Sequence, residues 1–165
     1  MYNINPKTKI TTDDLIKIKY MANDNWGDIF KMSSFLVFTI EAMRFLAKNP
    51  IVLTSPAYTG RGHSKNSLHY IGQAADIRVL GMSLMDMFIL ASRFPFTGIG
   101  IYPHADHPFL HVEIDELIPF ENRGLWIGIK SKCPEKLARG EWDYVTFNEE
   151  NLKELVYEKN IFCVD

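Results

Sequence analysis

The chain has 165 residues, enough for one globular domain whose core needs neither disulfide nor metal merely to hold together. Eighteen Lys and Arg against twenty Asp and Glu leave a formal charge of −2, which excludes a broad basic footprint for nucleic acid and an acidic disordered tail. Apolar residues make up 47% and charged residues 23%, the balance of a soluble domain, and Glu41, Arg44, Lys48, Asp86 and Arg93 break every long apolar stretch, so no membrane span is expected.

In chain order, Thr11, Thr12, Asp13 and Asp14 form a capping pattern, and Leu15, Ile18 and Met21 follow at three-residue steps, which predicts a short helix over about 12–22. A second helix is predicted from Ser33 or Ser34 to Ala47, with Phe35, Phe38, Ala42, Phe45 and Leu46 as its apolar face and Asn49-Pro50 as its stop. Residues 51–54 read as a short buried strand and 55–68 as a long polar loop. In the strand 74–79, Ala75, Ile77 and Val79 face a core, while Ala74, Asp76 and Arg78 make a small, charged second face. Ser83 caps a helix over about 84–93 that turns Leu84, Met87, Phe88 and Ala91 inward. Strands follow at 97–102 and 109–114, the latter with Leu110, Val112 and Ile114 inward and His111 and Glu113 outward. Trp126, Ile127 and Ile129 suit a further strand, and 148–158 a terminal helix. Helices first and antiparallel strands after make an α+β domain, expected as one unit over residues 1–165.

The two cysteines, Cys133 and Cys163, lack metal-ligand spacing, which excludes zinc held on thiolates. A long-range bridge between them stays open, and two reduced, packed thiols are the simpler expectation. The first residues contain no apolar run of the kind a secretory signal needs, so the polypeptide is expected in the cytoplasm as synthesised.

All five histidines fall between residues 63 and 111: His63, His69, His104, His107 and His111. Surface turns account for single ones, since His104 and His107 adjoin Pro103 and Pro108. The pattern around His69 is less ordinary. Ser67, His69, Gly72, Ala74 and Asp76 spell Ser-x-His-x2-Gly-x-Ala-x-Asp, in which the glycine lets His69 fold back over Asp76 and Ala74 keeps that face uncrowded. With His111 on the polar face of another strand, two imidazoles and one carboxylate make a tripod suited to zinc, with a fourth tetrahedral position left over.

Those residues resemble the zinc D-Ala-D-Ala carboxypeptidase and L-Ala-D-Glu endopeptidase family, which shares the hedgehog/DD-peptidase-like fold. The resemblance runs over roughly residues 12–127. It rests on the full Ser67–Asp76 motif, on the glycine-rich strand Gly98–Tyr102 with Phe109-Leu-His-Val-Glu113, and more weakly on Thr54-Ser55, Arg123 and Trp126. It implies a mainly antiparallel central sheet with the N-terminal helices on one face. It also implies Zn2+ on His69, Asp76 and His111, and hydrolysis of peptide bonds in peptidoglycan stem peptides through a metal-activated water. Two positions depart from the family. Pro108 stands where relatives often place a carboxylate base, which turns attention to Glu113, with Asp106 and His107 as alternatives. Thr59 stands near the expected arginine, so Arg61, two residues on, is the first candidate to steady a developing oxyanion, with a histidine of the 104–107 turn as the alternative.

Two other readings stay open on the sequence. One is a zinc-containing domain of the same fold that binds without catalysis, which the proline at 108 favours. The other has no metal, with His69 and Asp76 as a structural pair in an interaction module. The absent signal fits a phage-type wall enzyme released by lysis, although no separate wall-binding domain is evident. The peptidoglycan peptide is the expected partner, with neither nucleic acid nor membrane, and the sequence is silent on oligomeric state.

Overall fold

The computed structural model describes residues 8–21, 24–60 and 62–157. Its frame is a six-stranded sheet of β1 (Ile51–Leu53), β2 (Ala74–Val79), β3 (Gly98–Tyr102), β4 (Phe109–Glu113), β5 (Gly124–Lys130) and β6 (Trp142–Thr146), in the order β1-β2-β4-β3-β5-β6. Every neighbouring pair is antiparallel except β3 and β5, which run parallel. The mainly antiparallel expectation therefore holds, with one parallel pair that the sequence pattern had not indicated. β6 was not anticipated either; its half-exposed residues carry no clean apolar alternation.

Helices α1 (Thr12–Leu15), α2 (Ser34–Ala47), α3 (Leu84–Ala91), α4 (Pro134–Ala138) and α5 (Glu149–Leu152) accompany the sheet, with short 3-10 and π turns between and after them. One face of the sheet, formed by Ala75, Ile77, Val79, Ile99, Ile101, Leu110, Val112 and Ile127, is fully buried in one core with Leu36, Val37, Ile40 and Met43 of α2 and Leu84, Met87 and Ala91 of α3. The inward residues of α3 are the expected ones. In α2 the stripe is rotated: Phe45 and Leu46, expected inward, are exposed at 64% and 59%.

α1 stops well short of residue 22. The backbone N–H groups of Lys19 and Tyr20, which a longer helix would turn back on residues 15 and 16, are instead accepted by the buried Glu41 carboxylate of α2. Ile18 and Met21 still reach the core, but as anchors of a non-helical segment. The terminal helix fills the expected span as far as the described residues reach, capped by Asn148, but as a single α-turn passing into a wider π-turn over Lys153–Tyr157. Cys133 is free and exposed, not packed, and Cys163 lies outside the described residues. Among the described residues, no helix is long and apolar enough to cross a membrane.

Candidate metal centre

The face of the sheet turned away from that core carries the site. Register alone aligns it: Asp76 on β2 stands opposite His111 on β4, His111 opposite Gly100 on β3, and Gly100 opposite Trp126 on β5. Side chains in such a row are cross-strand neighbours about 4.5–5.5 Å apart at Cβ. The glycines are spacers. A Cβ on Gly100 would run into the Trp126 indole, whose ring leans toward His111 with centroids 5.5 Å apart. A Cβ on Gly98 would lie 2.6 Å from Cγ of Glu113 and strike its carboxylate.

His69 arrives from a short 3-10 turn, Leu68–Ile71, which Ser67 caps by accepting from the His69 N–H at 3.3 Å. Gly72 ends that turn in the left-handed region at φ 70°, where any Cβ would collide with the Lys31 carbonyl, so the reversal toward β2 demands glycine. The outcome is the fold-back expected of this motif. His69 is fully buried, and its Nε2 lies 3.5 Å from Asp76 Oδ1 and 3.3 Å from His111 Nδ1. His111 Nδ1 lies 3.0 Å from the same Asp76 oxygen.

What these atoms carry follows from their other contacts. His69 Nδ1 is 2.8 Å from the carbonyl of Ala57, which can only accept, so Nδ1 holds the hydrogen and Nε2 presents a lone pair. His111 Nε2 is 2.9 Å from Glu113 Oε2, which fixes that hydrogen as well and leaves a lone pair on Nδ1. Asp76 has one oxygen tied down by the Ser55 hydroxyl at 3.3 Å, and its other oxygen faces both rings. Two lone pairs and an anionic oxygen thus crowd one point, an arrangement that repels unless a cation or proton sits there. Ligands about 2.0–2.1 Å from a tetrahedral zinc ion stand roughly 3.3 Å apart, and the three separations of 3.0, 3.3 and 3.5 Å bracket that spacing. The donors fit the metal.

In the metal-free protein a proton takes the cation's part. Burial disfavours charge on His111, yet the hydrogen bonds to Asp76 and Glu113 outweigh it and push the ring up to about 9. Burial alone would raise Asp76, but the hydrogen bonds from His111 and His69 hold it well below the ordinary carboxylate range.

A cavity of about 500 Å³ opens beside the triad, lined by Thr54, Ser55, His63, Asp76, His107 and the aromatic rings of Phe109 and Trp142 among others. His63 stacks on His69, and the potential ligand atoms of His63, His69 and Asp76 all lie within 4.8 Å of one another.

The other residues singled out by sequence fall differently. Glu113 reaches the far nitrogen of His111, not the point where the donors meet. Asp106 is not brought to the site: its side chain is 90% exposed and paired with Lys130 at 2.8 Å, while its neighbours Ala105 and His107 line the cavity. Arg61 lies outside the described residues. Arg123 donates to the Ser92 carbonyl at 2.8 Å and stacks on Phe120. Sequence reasoning missed the Ala57 carbonyl, the Ser55 contact and the place of His63; only the crowding of five histidines into one stretch pointed to the last.

No curated protein and no solved structure matches this chain. Residues 39–118 match the family model described as peptidoglycan L,D-endopeptidase MepK. That stretch, just under half of the sequence, runs from within α2 to just beyond β4 and holds His69, Asp76 and His111 together with Ser55, Ala57 and Glu113. By this segment the chain is similar to the peptidoglycan L,D-endopeptidase family.

Proposed function

We propose that the protein is a zinc-dependent peptidase of the hedgehog/DD-peptidase-like fold that cuts a peptide bond in peptidoglycan stem peptides. The observation that carries the reading is the convergence of two tautomer-fixed imidazole lone pairs and one carboxylate oxygen at tetrahedral spacing. When bound, zinc supplies a water acidic enough to ionise near neutral pH and polarises the scissile carbonyl.

The chain's own residues do the rest. His69, Asp76 and His111 hold the ion. The Ala57 carbonyl and Glu113 aim the two rings, and Ser55 turns Asp76 so that one oxygen faces the site. Outer partners of this kind set ring orientation and ligand basicity. Glu113 is therefore a positioning residue in this reading, in place of the proton carrier expected of it. The cavity walls, Phe109 and Trp142, bind and orient the peptide and keep bulk water from the reacting bond. Of the titratable groups that line the cavity, Asp76 belongs to the triad and His63 stacks on His69, and to His107 we assign the transfer of a proton to the leaving amine. Arg61 keeps its proposed role at the oxyanion.

One observation favours a second reading, a metal-holding domain that binds wall peptides without cutting them: among the described residues, Asp76 is the one carboxylate lining the cavity, and none of the others there is a second carboxylate to carry protons. Both readings meet the same experiment. Protein purified without added metal is assayed for bound zinc, then for release of peptide fragments from purified wall material before and after chelation. Bound zinc with turnover that chelation abolishes and zinc restores is the expected result. Zinc without turnover selects the binding domain. A His69→Ala protein that keeps full zinc content overturns the ligand set.

A further inference from the structure

The mechanism leaves His63 unused, although it stands over the triad. Its ring lies face to face with His69, centroids 4.0 Å apart and planes 14° apart. Its main chain is held on both sides by one phenol: Tyr70 accepts from the His63 N–H at 3.0 Å and donates to the His63 carbonyl at 2.7 Å. Tyr70 belongs to the same short turn as His69, so the 62–63 segment is tied to the ligand-bearing turn. The ring itself has room. The preceding Gly62 adopts φ +94° with open space around it, and the half-buried His63 side chain forms part of the cavity wall. A ligand atom of His63 lies within 4.8 Å of those of His69 and Asp76, and rotation about a pinned Cα needs to close that gap only to the roughly 3.3 Å that ligands of one tetrahedral zinc ion keep.

We propose that His63 is a fourth, detachable metal ligand, which closes the coordination sphere at rest and swings away when a peptide enters the cavity. The inference rests on the metal-site reading above. Three protein ligands with an open corner mark a catalytic site and four mark a closed one. Here the fourth comes from a loop side chain whose anchor is hydrogen-bonded but whose ring is not buried, so the same site can be both. Breaking its bond to the metal costs only one ligand, and the stacked position on His69 receives the released ring.

The test compares zinc affinity in wild type, His63→Ala and Lys65→Ala by competition with a chromophoric chelator, and the visible spectra of the cobalt-substituted proteins. His63→Ala is expected to weaken zinc binding by roughly tenfold or more, the scale on which even outer partners of a ligand act. Its cobalt spectrum should shift, and added imidazole should return that spectrum toward wild type. Lys65→Ala, in the same loop, should change neither reading. At saturating zinc, His63→Ala should turn over peptide at least as fast as wild type. Unchanged zinc affinity and an unchanged cobalt spectrum in His63→Ala overturn the proposal, and lost turnover beside them gives the ring a proton-carrying role. Wild type that takes up no metal overturns the metal-site reading together with this one. The two failures are thus told apart by the wild-type protein alone.

Discussion

Replacing Glu113 by glutamine isolates what an outer carboxylate contributes to the metal centre. The amide keeps the shape and can still accept from His111 Nε2, which now lies 2.9 Å from the carboxylate, but the charge is gone. Hydrogen bonds to charged groups are worth about 1.5–3 kcal/mol and neutral ones about 0.5–1.5 kcal/mol. The difference, about 1–1.5 kcal/mol, corresponds to roughly a five- to tenfold loss of zinc affinity. The charge of Glu113 also helps a proton onto His111, which holds the metal-free ring up to about 9. At neutral pH the metal must displace that proton, so the substitution weakens ligand and competitor together and part of its effect cancels. Above pH 9 the ring is already neutral and the whole loss emerges. Chelator competition at pH 7 and pH 9.5 should therefore show a small gap between the two proteins at the lower pH and a larger one at the higher. An equal affinity at pH 9.5 would refute the assignment of Glu113 as the group that orients His111.

Three other outcomes follow from the same structure. In the absence of metal, the raised His111 contributes stability that is complete below its unfolded value of about 6.5 and lost as pH rises through about 9; melting curves of the chelated protein should fall across that window, while those of the zinc-loaded protein should not. Gly72→Ala meets both a left-handed backbone and the Lys31 carbonyl, so a loss of about 1–3 kcal/mol or more is expected in denaturant titration, with loss of metal uptake as the His69 turn distorts. Trp142→Ala removes a cavity wall and the edge contact with Tyr102, and should raise KM for a defined stem peptide with zinc content unchanged; an unaltered KM would remove β6 from the substrate groove.

Much of the site was legible because its donors sit on regular elements. Alternation in 74–79 and 109–114 sorted Asp76, His111 and Glu113 to one face, and a glycine three residues after His69 announced the turn that folds it back. What escaped was brought in by tertiary contacts with no local pattern. Ala57 is apolar in sequence, yet its backbone oxygen decides the His69 tautomer because the 55–58 segment is pinned to Asn25 and Trp26. Asp106 read as a candidate from its place beside the site, but Lys130, twenty-four residues on, holds it at the surface. The length of α1 was misjudged for a related reason: Glu41, on another helix, takes the N–H groups its next turn would have used.

The pairing of β2 with β4 has a consequence for how this site can be lost. Leu110 and Val112 fill the core from the strand that sends His111 and Glu113 the other way. Sliding β4 by a single residue would bury the imidazole and carboxylate in oil and hand the groove two aliphatic side chains. No intermediate register preserves one function at the expense of the other. Whatever guards the interior packing of this strand also guards the register that presents its donors, and a chain that has folded correctly here has already brought them together.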